Sequence, residues 1–236
     1  GLLSTLLGVS TAWVVTRYEF FGKNFFQWAL LLPAAVPAYI IAYTYTDFLE
    51  YAGPVQKILR EFFNFQNSNE YWFPEIRSME GAIFVMSFVL YPYVYMTTRA
   101  SFLTVPVSFF QTSLIYGRSS FFSVALPLAR PGIIAGVALV LMETISDFGT
   151  VEYFALETLT LGVFNVWLGM NSLTAASQIA SVAFLFIIAL LIFETIARSR
   201  RRFNDSTRRG TPLPRQVAVG WRAGVCWFVC LTPIII

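Results

Sequence analysis

Three carboxylates, Glu143, Asp147 and Glu152, fall within one short stretch, ETISDFGTVEYF, at the end of an apolar run. An acid at the centre of a membrane helix costs roughly 2.5–3.5 kcal/mol on insertion scales, so it turns toward a partner or a wet cavity. No lysine or arginine lies within an apolar run to pair with Glu143. A protonated acid packed between helices is the competing reading of that residue. Asp147 and Glu152 follow near the end of the run, where they could equally be solvated loop acids. A step of four residues turns about 40° past one revolution, so Glu143 and Asp147 share a helix face. Glu152 lies beyond Gly149 and has no fixed direction. Carboxylates grouped at the mouth of a span would attract a hard cation and offer it oxygen ligands. Passage requires weak holding, so such acids would form a transient relay rather than a storage site.

Other chemistries are closed off by missing residues. The chain has no histidine and only two cysteines, Cys226 and Cys230, four apart in an apolar stretch. Zinc, haem and thiol–imidazole sites have nothing to build on, and the cysteines read as small buried hydrophobes. The only Gly-Lys pair, Gly22-Lys23, is followed by Asn24, so the sequence shows no phosphate-cradling loop and no means of its own to hydrolyse nucleotide. An intramembrane hydrolase using Asp147 or Ser87 would need a facing second aspartate or a histidine base. Neither is found. No cofactor is implied, and a resident metal is not assigned.

The elements that position these residues are apolar helices. Of 236 residues, 57% are hydrophobic and only 12% charged, with a mean hydropathy of +0.65. Soluble domains carry about a quarter charged residues, and a spanning helix needs roughly 20 apolar ones, so the composition is that of a polytopic membrane protein. Leu2–Val15 reads as the end of one span. Phe25–Tyr45 reads as a full span kinked by Pro33 and Pro37, and Gly81–Met96 as a third with Pro92 near its end. Pro131 to about Ile145 forms a short fourth span, and Leu173–Ala197 the clearest one, without proline. TLGVFNVWLGM reads as a shorter or re-entrant helix. Pro54–Phe65 places Ile58, Leu59, Phe62 and Phe63 on one side and Lys57, Arg60 and Glu61 elsewhere, the pattern of a helix lying at the interface. The fold expected is an all-α transmembrane bundle of five spans plus the start of a sixth. Residues 1–197 form the membrane domain, with 97–130 as a connecting loop. Residues 198–217 form a basic linker, and 218–236 the opening of a further span. The chain, beginning and ending inside apolar runs, reads as a fragment of something longer.

Orientation follows from the basic residues, which collect on the cytoplasmic side. Threading alternately puts thirteen of the sixteen lysines and arginines on one side and only Lys57, Arg60 and Arg77 on the other. The first side is therefore cytoplasmic, and it holds the 97–130 connection. The arginine cluster from Arg198 to Arg209 reads as a topology determinant beside anionic lipid, not as a nucleic-acid site. Within the connection, a short helix, a turn at Gly117, a second short helix and a stop at Pro127 and Pro131 make an elbow.

That elbow resembles the coupling loop of ABC-importer permeases, whose pattern is Glu-Ala-Ala, three residues, Gly, and later a hydrophobic residue two before Leu-Pro. Here the corresponding positions are Gln111-Thr112-Ser113, Gly117 and Leu126-Pro127, so the acid is replaced, and the ten positions from Gly117 to Pro127 are fewer than is usual in the family. WALLLPAAVPAYIIAYTYTDFL, VALPLARPGIIAGVALVLMETISDFGTVEYF and TLTLGVFNVWLGMNSLTAASQIA resemble more narrowly the ferric-iron ABC permeases, over roughly residues 1–200. The resemblance implies a permease subunit of an ATP-driven importer in a bacterial inner membrane. Its partners would be a cytoplasmic ATPase dimer gripping the elbow, a periplasmic solute-binding protein, a second permease half and membrane lipid. Ferric iron would be the cargo, with Glu143, Asp147 and Glu152 along its route. A related oxyanion or polyamine importer is the close alternative, and a non-transporting membrane receptor or anchor the distant one.

Overall fold

The computed structural model describes residues 1–199 and 215–235. The expected basic linker, residues 198–217, lies largely outside them. In chain order the elements are α1 (Leu2–Arg17), β1 (Tyr18–Glu19), α2 (Lys23–Ala29), α3 (Ala38–Leu49), α4 (Pro54–Phe63), α5 (Met79–Thr104), α6 (Val107–Ile115), α7 (Leu126–Ser146), α8 (Gly149–Tyr153), α9 (Leu159–Phe164), α10 (Leu173–Ser199), β2 (Gln216–Val217) and α11 (Trp221–Ile235). The protein is nearly all-α. The exception among the described residues is a two-residue parallel pairing of β1 with β2.

Among the described residues three helices are long and apolar enough to cross a membrane: Met79–Thr104, Phe121–Ser146 and Leu173–Ile196. A fourth span is available if the bent pair Lys23–Ala35 and Ala38–Phe63 counts as one. The expected kink in the second span is therefore a full break. Pro37 and its neighbours explain the break: Pro37 caps α3 with ψ 135°, and Pro33 sits in a 3-10 turn over Leu32–Ala35. Prolines withhold the N–H that would carry the helix across, and Val36, before Pro37, lies outside both helices. The outer members, α1 and α11, are shorter apolar helices, so five spans are not reached by helix length alone.

The chain forms two compact units. The first takes Gly1–Ala35, Leu90–Met142 and the described part of Ile188–Ile236. Its centre is a stripe at four-residue spacing on α5, the spacing that stacks side chains on one helix face. Tyr91 and Tyr95 are fully buried, and their hydroxyls donate to the carbonyls of Leu30 at 2.8 Å and Gln27 at 3.2 Å. Those carbonyls belong to the end of α2, where no intrahelical donor remains. One turn on, Arg99 Nη2 donates to Gln27 Oε1 at 3.1 Å. Small residues let the backbones close up. A Cβ added at Gly136 on α7 would lie 2.7 Å from Val94 Cα, so only glycine permits that crossing of α7 and α5.

α11 packs against α1, and its Trp227 also reaches α2 and the turn before it, edge-on to Phe26 at 5.0 Å and with Nε1 donating to Phe21 O at 3.1 Å. Cys226 and Cys230 are buried and unbridged on its inner side. Beside it Glu19 binds both Lys23, at 3.0 Å, and Arg215, at 3.2 Å. Lys23 is only 3% exposed, so Glu19 supplies the counter-charge that its burial demands.

The second unit takes Val36–Val89 and Glu143–Ile187. There α3 packs on α8, with Tyr43 edge-on to Tyr153 at 5.4 Å and Gly149 closely set against Tyr39. α4 is the expected amphipathic helix: Ile58, Phe62 and Phe63 are exposed, while Gln56 on the other face is buried.

Candidate functional site

The elbow belongs to the first unit and differs from its expected shape at both ends. α5 continues to Thr104, so the connection opens eight residues later than residue 97. At the far end the second short helix is not separate. A π-helical turn over Phe121–Ala125 runs directly into α7, and Pro127 and Pro131 lie inside the resulting helix instead of stopping it. The wide turn gives the reason. Leu126 N–H bonds back to Phe121 O, five residues away, which loosens the coil where the Pro127 ring would otherwise strike the carbonyl four residues before it. The expected fourth span thus corresponds to the candidate crossing helix Phe121–Ser146.

What remains as an elbow is α6, a tight turn and the start of the π turn. Gly117 takes φ +62°, with open space where a Cβ would stand, so it is the left-handed backbone that calls for glycine here. Its N–H bonds Leu114 O at 3.1 Å, and Arg118 N–H bonds Ser113 O at 2.9 Å. Ser113 is buried and its hydroxyl lies 3.0 Å from that of Ser120, joining the two arms. Beneath the turn Phe110 is buried against Trp13, which also meets Phe102 at 5.5 Å and Phe121 at 5.1 Å. The tip carries Leu114 at 58%, Ile115 at 83% and Tyr116 at 75% exposure. Gln111 and Thr112 are exposed on the same helix, while Leu126 and Pro127 are half-buried at the root of α7. Of the expected coupling residues, then, Ser113, Gly117, Leu126 and Pro127 hold the shape, and Gln111 and Thr112 face outward. The apolar tip, Leu114 to Tyr116, was not singled out in the sequence, although three large side chains directly before a turn glycine were a legible sign.

The acids belong to the second unit. Asp147 follows the last residue of α7, its N–H still bonded to Glu143 O at 2.9 Å, so the two remain one turn apart. Burial runs against expectation: Glu143 is exposed, whereas Asp147 is half-buried with one carboxyl oxygen fully buried. The cause is the corner that Asp147 builds. Its Oδ1 accepts from Thr150 N–H at 3.2 Å, tying down the start of α8, and its carbonyl accepts from the Thr160 hydroxyl at 2.9 Å on α9. Asp147 Oδ2 and the fully buried Thr150 hydroxyl have no partner. Glu152 is exposed on α8. Among the described residues no three of His, Cys, Asp or Glu come together as a metal-holding group, so Glu143, Asp147 and Glu152 are not gathered into a ligand set. Nearby Phe148 stacks on Phe164 at 4.3 Å, closing the corner from the α9 side.

The family described as the binding-protein-dependent transport system inner membrane component matches residues 4–203. The Fe(3+)-transport system permease protein of Haemophilus influenzae is 26% identical over 194 residues, covering 80% of this chain but 33% of that protein. The molybdenum transport system permease protein of the same organism is 26% identical over 212 residues, 85% of this chain and 89% of that protein. The sulfate transport system permease protein of Salmonella typhimurium is 27% identical over 214 residues, 86% and 72% of the two chains. This chain thus spans about a third of the length of the Fe(3+) relative and most of the other two.

Proposed function

Because this chain belongs to the binding-protein-dependent transport system inner membrane component family, we propose that it is the membrane-spanning permease subunit of an ATP-driven importer. The match over residues 4–203 carries the reading. The elbow supports it: a rigid turn with an apolar tip, Leu114-Ile115-Tyr116, is the kind of knob that fills a cleft in a separate subunit, since large exposed apolar groups mark contact sites. In this reading a cytoplasmic ATPase dimer grips the tip, and a periplasmic binding protein delivers cargo on the opposite side. A second permease half completes the pathway in a bacterial inner membrane. Five spans and the opening of a sixth then require α1 and α11 to cross as shorter helices, and α2 and α3 to act as one broken span. Discontinuous helices are tolerated where neighbours satisfy their freed carbonyls, as Tyr91 and Tyr95 do for α2.

For the cargo, ferric iron draws support from the Fe(3+) relative and from Glu143 and Glu152, exposed acids that could pass a hard cation along. An oxyanion is the second reading, drawn from the molybdenum relative, which is matched over 89% of its length. Uptake of radioactive iron(III), molybdate and sulfate, in cells lacking their other importers, separates these. Iron uptake alone supports the ferric reading, and molybdate or sulfate uptake moves the protein to the oxyanion class. A chain that purifies without any ATPase and supports no uptake of the three overturns the permease role.

A further inference from the structure

A cavity of about 420 Å³ opens in the second unit between the end of α3, the start of α4 and the loop before α5. That volume falls within the roughly 300–1,000 Å³ of small-molecule sites. Its floor is a built polar network. Gln56 is buried, its amide donates to Leu49 O at 2.8 Å, and its oxygen accepts from the Tyr71 hydroxyl at 2.6 Å. Arg60 braces the wall from behind, bonding Tyr51 O at 2.8 Å and lying over the Tyr51 ring at 4.1 Å. At the mouth the Arg77 guanidinium meets the Glu50 carboxylate at 3.0 Å, both about half exposed, and Glu75 adds a second exposed acid. Trp72, 86% exposed, stands beside them.

The place of this cavity relative to a bilayer follows from α4. A helix with Ile58, Phe62 and Phe63 on one face and Gln56, Lys57 and Arg60 on the other settles in the interface plane, apolar face toward the acyl chains and polar face among the headgroups. With α4 in the interface plane rather than in the broken span, the cavity on its Gln56 side would fall in the headgroup layer, where tyrosine and tryptophan concentrate. Its chemistry pairs one cation with two anions and aromatic faces. We infer that the cavity holds the headgroup of a zwitterionic phospholipid, phosphate on Arg77 and ammonium on Glu50 and Glu75 against the rings of Tyr71 and Trp72. An exposed ion pair such as Glu50–Arg77 is weak, so exchanging it for the two charges of a headgroup costs little. An anionic lipid would satisfy Arg77 but leave both acids facing its charge, so the site selects against it. The inference rests on the chain crossing a membrane and is independent of the cargo.

The test is native mass spectrometry of the full chain released from micelles carrying equal amounts of phosphatidylethanolamine and phosphatidylglycerol. Wild type is expected to retain one phosphatidylethanolamine in at least tenfold preference. Arg77→Gln should lose that retained lipid. Glu50→Gln with Glu75→Gln should bring the preference to near parity, with unchanged helical circular dichroism as the folding control. Equal retention of the two lipids by wild type overturns the proposal, as does a preference unmoved by these substitutions. Soluble phosphoethanolamine competing the lipid away at equal concentration would assign the site to a free solute and overturn the lipid. Altered stimulation by a binding protein with lipid retention unchanged would give the cavity to that protein instead.

Discussion

Asp147 shows how one side chain divides between chemistry and architecture. As a letter in ETISDFGTVEYF it reads as one acid of a relay; in the fold it caps α8 and receives the Thr160 hydroxyl on its carbonyl. Sequence could reveal its helical phase to Glu143, which the structure keeps, because phase is set locally by the turn of the helix. It could not reveal the burial, which depends on α9 returning thirteen residues later to close the corner. The two roles predict different mutants. Asp147→Ala removes an acceptor for a helix-start N–H and should cost about 0.5–2 kcal/mol, read as a lowered thermal midpoint in detergent. Glu143→Gln, at an exposed position, should leave the midpoint within about 0.5 kcal/mol and act, if iron is the cargo, on uptake alone. Equal midpoints for both variants would count against the cap, and unchanged iron uptake in Glu143→Gln against the relay.

At the scale of elements, proline was the least legible residue. Pro37 and Pro33 break the second apolar run into α2 and α3, more than the kink expected, whereas Pro127 and Pro131 fail to stop the helix they occupy. The difference lies in the neighbours. The run before α7 can open into a π turn at Phe121–Ala125, backed by Trp13 against Phe121, and so accommodates the ring. Gly117, by contrast, behaves as its letter suggests, because left-handed backbone is a local demand. Gly117→Val should strain the turn by about 1–2 kcal/mol and misdirect Leu114, Ile115 and Tyr116. The expected outcome is a chain that inserts normally but recovers much less ATPase in a pull-down; unchanged recovery would remove the elbow from coupling. The β1–β2 clasp was invisible in sequence, since it joins residues about 200 positions apart through Tyr18–Gln216. It carries a pH signature. The hydrogen bond from Lys23 holds the Glu19 carboxyl below the usual carboxylate range, with the charges of Lys23 and Arg215 adding to it. A lowered folded value means the clasp's contribution is full above the unfolded value, about 4.3, and fades as pH falls through the folded one. Glu19→Gln should therefore lower the thermal midpoint at pH 7, with the deficit shrinking as pH falls below the unfolded carboxylate value. A deficit that stays constant from pH 7 into the acid range would mean the carboxylate charge is not what holds the clasp.

For the whole molecule, composition told most, since a chain this apolar must satisfy its backbone internally and becomes helical in a bilayer. Span number was harder, because length alone does not separate α1 or α11 from a buried soluble helix. α10 illustrates what composition does fix. Val182, Phe184, Leu185, Phe186, Ile192 and Phe193 all stand exposed along it, an arrangement that is stable only against lipid or another apolar surface. Which end of each helix meets the cytoplasm rests on a separate signal, the thirteen-to-three division of basic residues. From that division the elbow tip is expected on the cytoplasmic side, an expectation open to direct measurement. Single cysteines at Ser119, Asn67 and Glu157, in a background without Cys226 and Cys230, report their side through a membrane-impermeant thiol reagent added to intact cells. All three native residues lie on loops or short turns, and Ser119, Asn67 and Glu157 are exposed, so substitution there leaves the helices alone. Positions 67 and 157 should label from outside, and 119 only after the cells are opened. Labelling of 119 in intact cells would invert the topology, and with it would fall both the ATPase contact at Ile115 and the outward placing of Glu152.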